Sequence, residues 1–407
     1  MNAGAGRAAA PMPHIASTVP SPITSRTVGV MGGGQLGRMF VHAAQTLGCR
    51  TVVLDPDADS PAGLVSHVHL QAAFDDAQAL RNMGQQCLAV TTEFENVPAA
   101  SLAQLATHCL VSPGAAAVRI CQDRASEKAH FLASGVPCAP HARIADAADL
   151  QALPESLFPG ILKTAQLGYD GKGQIKVAGR SELPAAWAAL GHVPCLLEKQ
   201  LALTFEISVI VARSADGTVA HLPVQQNLHR AGILAVTQVP APDVAEPVAR
   251  HAITCAQQLA QGMNYVGVLC VEFFVLGDGS LVANEMAPRP HNSGHYSIDA
   301  CDVSQFELQL RTMANWPLTP PRLHSPAVML NLLGDLWRAN ADGVAQPPQP
   351  PDWTPLLALP GVHLHLYGKG QARPGRKMGH LTVTAADAPA ARAIALRACA
   401  LLGLPPF

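Results

Sequence analysis

A glycine-rich turn between an apolar run and an amphipathic segment restricts the fold of this chain more than any other feature. The turn is Gly32-Gly33-Gly34, and apolar side chains then recur at helical spacing from Leu36 to Leu47. Strand, glycine turn, helix and strand form a βαβ unit, which implies a parallel sheet. The runs that predict its strands are Thr27–Met31, Thr51–Asp55, Leu88–Thr92 and Cys109–Val111. We therefore expect a Rossmann-like α/β domain over residues 27–120.

The glycine spacing in this turn matches a nucleotide-binding fingerprint. Gly32, Gly34 and Gly37 fit G-x-G-x-x-G, and Asp55 ends the second strand about twenty residues later. Such a turn brings backbone N–H groups and a helix N-terminus close to a phosphate. Taken alone, the segment is consistent with a nicotinamide or flavin enzyme, with another phosphate-bearing ligand, or with a structural tight turn.

Composition excludes several classes of protein. The 407 residues carry a net charge of −2 and 14% charged side chains, which gives no reason to expect a nucleic-acid or membrane-surface partner. Hydrophobic residues make up 49%, enough for a large core, yet no apolar stretch reaches the roughly 20 residues of a membrane span. The ten cysteines include no Cys-x-x-Cys pair, which favours buried thiols in a reducing, cytoplasmic compartment.

Changes in composition divide the rest of the chain. Residues 1–26 are rich in Ala, Gly, Pro and Ser without periodicity, so we expect a disordered extension outside the fold. Residues 121–316 combine a helical segment with short β-rich runs broken by glycine, which predicts an α+β domain. A proline-rich stretch begins at Pro317, and strand-like alternation returns at Val362–Tyr367. We expect a small β-rich C-terminal domain over residues 317–407.

A second glycine-rich segment, Gly168–Gln174 (GYDGKGQ), lies between two β-rich runs, with Lys163 on the run before it. A loop of this composition can fold over a polyphosphate, because its backbone N–H groups and lysine supply positive charge. The pattern differs from G-x-x-x-x-G-K-[ST], so it is not a Walker A loop. An ordinary glycine-rich hairpin is the alternative.

Two acidic positions face each other across a predicted hairpin. The apolar runs Val268–Val275 and Ser280–Glu285 flank Gly277-Asp278-Gly279. If Asp278-Gly279 is a two-residue turn, Glu272 lies directly opposite Glu285. Paired carboxylates in apolar strands repel each other unless a cation lies between them, and oxygen-only ligands suit magnesium. Two solvent-facing glutamates are the alternative.

Two polar segments lie further along the chain. Met286–His295 contains two histidines four residues apart, but its Asn292-Ser293-Gly294 turn and the lack of a third soft ligand favour a substrate loop over a zinc site. Lys369 and Arg373–Lys377 concentrate positive charge in a chain that has little of it. This basic turn is either a second phosphate or carboxylate site closing over the cleft or a solvated surface turn.

The ordered set of motifs resembles one family, the PurK or 5-(carboxyamino)imidazole ribonucleotide synthases, which are ATP-grasp enzymes of purine biosynthesis. The stretches that carry the resemblance are GGQLGRM at 33–39, TEFEN at 92–96, GYDGKGQ at 168–174, NLH at 227–229, NEMAPR at 284–289, HNSGH at 291–295 and RPGRK at 373–377. The resemblance implies an α/β and α+β multidomain fold, with an N-terminal Rossmann-like parallel-sheet domain, a central ATP-grasp domain and a small C-terminal β-rich domain. It also makes the first glycine turn a ribonucleotide phosphate site.

The resemblance assigns roles to residues at the matching positions. For ATP it implies Arg124, Lys163, Gly168, Tyr169, Asp170, Gly171, Lys172, Gly173, Gln174, Glu198, Lys199, Gln200, Leu201, Glu206, His229, Asn284 and Glu285. For magnesium it implies Glu272 and Glu285. For bicarbonate, or the carboxyphosphate formed from it, it implies the catalytic residues Arg289, His291, Asn292 and Ser293, together with Lys377. For the ribonucleotide it implies Gly34, Gln35, Leu36, Glu93, Lys369, Arg376 and Lys377.

The implied reaction joins bicarbonate to the exocyclic amine of 5-aminoimidazole ribonucleotide, with ATP converted to ADP and phosphate. Its product is 5-(carboxyamino)imidazole ribonucleotide, an intermediate of de novo purine (IMP) biosynthesis. ATP and magnesium are the expected cofactors, and a cytoplasmic homodimer is the expected form. Two alternatives stay open: a formate-dependent ATP-grasp formyltransferase acting on glycinamide ribonucleotide, and a nicotinamide-dependent oxidoreductase.

Overall fold

The computed structural model describes residues 26–168, 173–338 and 349–407. Residues 1–25 of the expected extension, and Tyr169, Asp170, Gly171 and Lys172 of the second glycine loop, lie outside the described residues. The strands are Thr27–Met31 (β1), Arg50–Leu54 (β2), Val68–Leu70 (β3), Ala89–Thr92 (β4), Leu110–Val111 (β5), His141–Ile144 (β6), Gly160–Thr164 (β7), Gln174–Val177 (β8), Cys195–Lys199 (β9), Leu203–Arg213 (β10), Val219–His221 (β11), Gln225–Arg230 (β12), Ile233–Val239 (β13), Gly267–Leu276 (β14), Leu281–Ala287 (β15), Ala327–Leu333 (β16), Val362–Leu366 (β17) and Lys377–Thr384 (β18). The helices are Gln35–Thr46 (α1), Ala77–Gln86 (α2), Ala99–Leu105 (α3), Ala115–Cys121 (α4), Arg124–Ala133 (α5), Asp149–Ala152 (α6), Leu183–Ala189 (α7), Glu246–Gly262 (α8), Ser297–Ala300 (α9), Gln305–Met313 (α10), Thr354–Leu357 (α11) and Ala388–Leu402 (α12).

The N-terminal strands form a five-stranded parallel sheet in the order β3-β2-β1-β4-β5. Helix α1 packs its apolar face on this sheet, so that Phe40 and Ala44 share a core with Val28 and Val53. After the helix, Gly48 adopts a left-handed φ of 76°, a conformation that glycine tolerates at a helix C-terminus. The α/β region predicted from the βαβ unit is confirmed.

Two antiparallel sheets follow. The smaller has the order β6-β9-β7-β8, and the larger runs β15-β14-β10-β12-β13-β16-β18-β17, with β11 paired to β10. Strand β13 pairs with β16 through Val236 and Leu330, so the C-terminal strands extend the large sheet. The predicted fold class, a parallel-sheet region followed by mixed and β-rich regions, is confirmed, while the domain boundaries at residues 120 and 316 stay predictions. Among the described residues, no helix is both long and apolar enough to cross a membrane.

Strand β10 shows how the large sheet positions polar groups. Val209 and Val211 share a core with the buried face of α8, whereas Ile210 and Ala212 share a second core with apolar residues from the α9 and α10 region. Alternate residues therefore face opposite layers. Ser208 continues the second face and pairs with Glu272 on β14, so that face becomes polar where β14 and β10 approach the loop after β15.

The β14–β15 hairpin corrects one sequence expectation. Its connection has three residues, Gly277–Gly279, because Leu276 N donates to Ser280 O, and Gly279 takes a left-handed φ of 80°. That register alone would place Glu272 opposite Asn284. A β-bulge between Glu272 and Phe273 shifts the pairing by one residue, and Glu272 does pair with Glu285. The predicted partner is correct, but the predicted two-residue turn is wrong.

Candidate active site

A cavity of about 760 Å³ lies among the parallel sheet, the β14–β15 hairpin and the turn before β18. Predicted site residues from all three regions line it: Gln35, Leu36, Glu93, Arg124, Gly168, Glu272, Glu285, Arg289, His291, Asn292, Lys369, Arg376 and Lys377. The other described residues with predicted roles lie outside this lining: Gly34, Lys163, Gly173, Gln174, Glu198, Lys199, Gln200, Leu201, Glu206, His229, Asn284 and Ser293. Folding thus brings residues from both ends of the chain to one cavity.

The acidic pair occupies one side of the cavity. Glu272 is buried, and burial together with Glu285 raises its pKa to about 7, although the charge of His229 opposes the shift. Glu285 Oε2 accepts a hydrogen bond from Arg124 Nη1 at 3.2 Å. Burial opposes its ionisation, but Arg124 and Lys163 hold the pKa of Glu285 below its ordinary value. The surroundings therefore favour a proton on Glu272 and a charge on Glu285.

Two side-chain oxygen atoms at the acidic pair lack hydrogen-bond partners among the described residues. They are Glu272 Oε1 and Asn284 Oδ1, and both are buried. Buried oxygens in this state are costly unless a cation or a donor reaches them. Carboxylate and amide oxygens are the ligands that magnesium prefers, so the residues present fit a hard divalent cation.

A buried cluster of charges lies beside the pair. Lys163 Nζ is 2.8 Å from Glu198 Oε2, and Lys128 Nζ is 3.4 Å from Glu198 Oε1. Burial alone would raise the pKa of Glu198, yet the two lysines lower it to about 2. Lys128 also donates to the main-chain oxygen of Asn284 at 2.6 Å. The two lysine ammonium groups outnumber the single Glu198 carboxylate, so the cluster has a net positive charge next to the cavity. That charge would attract a phosphate group.

The residues expected to hold adenine and ribose lie on β9, β10, β12 and the link after β9. Lys199 ends β9, and Gln200 and Leu201 follow it. Glu206 Oε2 lies 3.0 Å from His229 Nδ1 across the β10–β12 pair. Burial lowers the pKa of His229, but the neighbouring carboxylates of Glu206 and Glu272 raise it above its ordinary value. The structure brings Glu206 and His229 together; their roles stay predictions.

The first glycine turn is already occupied by carboxylates of the chain itself. Gly33 N donates to Asp55 Oδ2 at 2.6 Å. Gly34 N and Gly37 N donate to the two oxygens of Glu93 at 2.8 and 3.1 Å. A Cβ on Gly34 would lie 2.7 Å from Glu93 Oε1, so this approach requires glycine. The N–H groups that a phosphate would use are therefore engaged by Asp55 and Glu93, which counts against a dinucleotide phosphate and also against the expected ribonucleotide phosphate at this turn.

The loop after β15 contributes a cation and a neutral imidazole. Arg289 Nη2 lies 2.8 Å from Glu95 Oε2. Ser293 N donates to His291 Nδ1 at 3.3 Å, which leaves the ring proton of the neutral form on Nε2. Burial and nearby cations hold the pKa of His291 well below its ordinary value, so the ring is neutral. Its Nε2 lies 3.6 Å from Glu272 Oε1, and both side-chain polar atoms of Asn292 are buried without a partner in the described structure.

The basic turn forms another wall of the cavity. Lys369 Nζ donates to Lys377 O at 2.7 Å, and Arg376 Nη1 donates to Gln371 O at 2.7 Å. Gly375 N donates to Asp335 Oδ2 at 2.8 Å, which fixes the turn to the end of β16. The side chains of Lys369, Arg376 and Lys377 line the cavity and present positive charge to it.

Family models, sequence relatives and solved structures point to the same family over most of the chain. Family models match a ribonucleotide synthetase preATP-grasp domain at residues 25–122, an ATP-grasp domain at 129–306 and a phosphoribosylaminoimidazole carboxylase C-terminal domain at 327–394. The N5-carboxyaminoimidazole ribonucleotide synthase of Brucella melitensis is 44% identical over 88% of this chain and 95% of that protein. The chain belongs to the N5-carboxyaminoimidazole ribonucleotide synthase family. The family's enzyme from Bacillus subtilis is 38% identical over 87% of this chain and 90% of its own length.

Solved structures of this synthase family share the architecture. The Staphylococcus aureus enzyme complexed with ADP has a TM-score of 0.84 and 36% identity, and covers 93% of this chain and 97% of its own. The Aspergillus clavatus enzyme in complex with ADP and 5-aminoimidazole ribonucleotide has a TM-score of 0.84 and 33% identity, covering 94% of this chain and 99% of its own. The predicted family is thereby confirmed.

Three charged residues of this synthase site escaped the sequence analysis. Glu95, the partner of Arg289, lies in the TEFEN motif but had no assigned role. Glu127 accepts a hydrogen bond from Met286 N at 2.6 Å, and burial raises its pKa to about 8. Lys128 is fully buried against Glu198. For Glu127 and Lys128 the available signal was helical spacing, because they stand three and four residues after Arg124 on α5.

Proposed function

We propose that this chain carboxylates 5-aminoimidazole ribonucleotide with ATP and bicarbonate, and that the cavity described above is its active site. The observation that carries this assignment is the single cavity lined by an acidic pair, a polar loop and a basic turn. Relatives bearing the synthase name, and one solved with ADP and 5-aminoimidazole ribonucleotide, support the same reaction. The enzyme is an ATP-dependent carbon–nitrogen ligase.

ATP occupies the side of the acidic pair. Arg124 and Lys163 contact its phosphates, and Lys128, which shares Glu198 with Lys163, adds to the positive field. The segment from Gly168 to Gln174, Lys199 to Leu201, Glu206, His229 and Asn284 complete the nucleotide pocket by family resemblance. Glu272 and Glu285 hold magnesium, which when bound neutralises charge on the transferring phosphoryl group.

Bicarbonate binds at the loop after β15. Its oxygen attacks the γ-phosphorus, the bond to the ADP oxygen breaks, and carboxyphosphate forms. The Arg289 cation attracts the anion, and the neutral His291 ring offers Nε2–H as a donor, because Nδ1 already accepts from Ser293 N. The unpartnered amide of Asn292 supplies a further donor and acceptor.

The ribonucleotide binds between the glycine turn and the basic turn. Lys369, Arg376 and Lys377 hold its phosphate, while Gln35 and Glu93 face its other end from the parallel sheet. Its exocyclic amine then attacks the carboxyl carbon, and phosphate leaves. Water hydrolyses carboxyphosphate, and carbon dioxide released from it diffuses away. The cavity must therefore exclude solvent during this step.

Omission of single substrates tests the assignment. We expect ADP release to require bicarbonate and 5-aminoimidazole ribonucleotide together, with one carboxylated product formed per ADP. Replacing bicarbonate by formate and the ribonucleotide by glycinamide ribonucleotide tests the formyltransferase alternative. ADP release with that pair, and none with bicarbonate, would overturn the proposal.

Binding measurements test the oxidoreductase alternative. The backbone donors at Gly33, Gly34 and Gly37 are held by Asp55 and Glu93, which disfavours a dinucleotide there. We expect ATP analogues to bind and reduced nicotinamide cofactor not to bind. We also propose a cytoplasmic homodimer, which light scattering of the purified chain would measure as twice the 42.5 kDa chain mass.

A further inference from the structure

Gln305 is a buried glutamine that contacts the loop His291–His295, here called the histidine loop. His291 has extended backbone angles, φ −122° and ψ 155°, but lies beyond the end of β15, outside every described strand. Gln305 Oε1 accepts from His291 N at 2.8 Å, and Gln305 Nε2 donates to His291 O at 2.7 Å. The side-chain amide therefore makes the pair of hydrogen bonds that a neighbouring strand would make.

Further contacts join the same residue to the rest of the histidine loop. Gln305 Nε2 lies 3.1 Å from His295 Nδ1, which uses its second N–H. Gln305 N donates to Ser297 Oγ at 3.0 Å, and Ser297 Oγ donates to Gly294 O at 2.6 Å. Both N–H groups and the oxygen of the Gln305 side-chain amide thus contact the histidine loop.

Gly294 makes the close approach possible. A Cβ at this position would lie 2.5 Å from Gln305 Oε1 and 2.3 Å from Ile210 Cδ1, both too close for any side chain. The loop and the first residue of α10 are therefore in close contact, and a side chain at position 294 would have to displace the Gln305 amide and the end of Ile210.

We propose that Gln305 is a positioning residue for the carboxylation step, because it fixes the backbone of His291 and with it the direction of His291 Nε2–H. The inference rests on the proposed function, in which Arg289, His291 and Asn292 bind bicarbonate. Gln305 is fully buried and lies outside the cavity lining, so it acts through the loop and touches no substrate. Misplacing reacting groups by about 1 Å can slow a reaction by roughly 100-fold.

Gln305→Met tests this role, because methionine has similar length and volume but cannot replace the amide hydrogen bonds. We expect the KM for bicarbonate to rise about tenfold, which corresponds to about 1.4 kcal/mol, while the KM for ATP changes less than about twofold. We also expect more than one ADP released per carboxylated product, since a displaced loop lets carboxyphosphate escape.

Gln309 provides a matched control on the same helix. It is also fully buried, and its amide donates to Thr91 Oγ1 and Ser112 O and accepts from Val268 N, away from the histidine loop. Gln309→Met removes a similar set of buried hydrogen bonds, so it measures how much stability and activity are lost when such bonds are removed away from the histidine loop. We expect both variants to lower the melting temperature. Only Gln305→Met should change the KM for bicarbonate and the ratio of ADP to carboxylated product.

Equal changes in the two glutamine variants would overturn the proposal. If Gln305→Met does not fold, Gly294→Ala is measured in the same way, because its Cβ displaces the Gln305 amide; an unchanged bicarbonate KM there would overturn the proposal too. If the wild-type enzyme releases ADP at the same rate with and without bicarbonate and the ribonucleotide, the proposed function is refuted, and the positioning role with it. An active wild type with an unaffected Gln305→Met variant refutes the positioning role alone.

Discussion

Burial and neighbouring charge set the ionisation of single residues in this cavity, and the outcomes differ widely. The pKa of Glu198 falls to about 2 between two lysines, although burial opposes this shift, whereas burial raises the pKa of Glu127 to about 8. His291 stays neutral, because burial and nearby cations lower its pKa. Substitutions that remove a charge while keeping the shape are therefore the most informative probes at this scale.

Glu285→Gln should abolish turnover and leave the fold intact. The change removes one proposed magnesium ligand, yet it also relieves repulsion with Glu272 across the hairpin. Arg124 and Lys163 also stabilise the Glu285 charge, so we expect the metal-free variant to unfold cooperatively but at a somewhat lower temperature than wild type. Glu155→Gln, which removes the carboxylate of an exposed ion pair with Arg180, is the control and should keep full activity. Wild-type activity of Glu285→Gln at limiting magnesium would refute the ligand assignment.

Glu127→Gln should change how stability depends on pH. The pKa of Glu127 is about 8 in the folded protein and about 4.3 in an unfolded chain. Its stabilising contribution is complete below the unfolded value and is lost as pH rises through the folded value. The stability of wild type relative to Glu127→Gln should therefore fall between about pH 5 and 8, by up to about 1.4 kcal/mol per pH unit. Urea unfolding of both proteins at several pH values measures this, and parallel curves would contradict it.

At the scale of elements, local sequence patterns predicted the first strands and helix of the parallel sheet and the β14–β15 hairpin, but few of the other helices and not the fine register. The β1–α1–β2 unit follows from its periodicity, and its observed bounds differ from the expected ones by a residue or two. The pairing of Glu272 with Glu285 was predicted, but it results from a three-residue turn and a bulge that adds Asn284. No local signal marks such a bulge, because it depends on how the finished sheet twists.

Replacing Arg376 and Lys377 with alanine should weaken ribonucleotide binding selectively. Each lost charge-assisted hydrogen bond to the phosphate is worth roughly 1.5–3 kcal/mol, and 1.4 kcal/mol is about tenfold in affinity. The KM for 5-aminoimidazole ribonucleotide should rise steeply while that for ATP barely moves. Arg250→Ala on the exposed face of α8 is the control. If neither KM changes, the basic turn is a solvated surface turn. If the KM values for both substrates rise equally, the turn orders the whole cavity.

At the scale of the whole molecule, the cavity depends on contacts between distant parts of the chain. Arg289 pairs with Glu95, and Gln309 reaches Thr91 and Ser112 in the parallel sheet. Family resemblance assigned roles to the site residues, whereas a pair such as Arg289 and Glu95, 194 residues apart in sequence, leaves no periodic or local pattern. This is why the role of Glu95 was found only in the structure.

Substrate binding should stabilise the three regions as one unit, because each of them lines the cavity. A ligand at 100 times its dissociation constant adds about 2.7 kcal/mol. We expect 5-aminoimidazole ribonucleotide to move a single thermal transition upward, and the corresponding riboside without phosphate to move it far less. Two transitions of which only one responds would show that the regions unfold independently.

The large sheet has a consequence for the size of ligand that the enzyme accepts. Glu272 lies on β14 and Lys377 begins β18, and four strands separate β14 from β18 in the sheet order. Five strand spacings of about 4.8 Å separate them in sheet order, yet both line one cavity. Continuous backbone hydrogen bonding, not a hinge, joins the strand of the acidic pair to the strand that follows the basic turn, so we expect the space between them, and with it the largest ligand that fits, to stay the same when substrates bind.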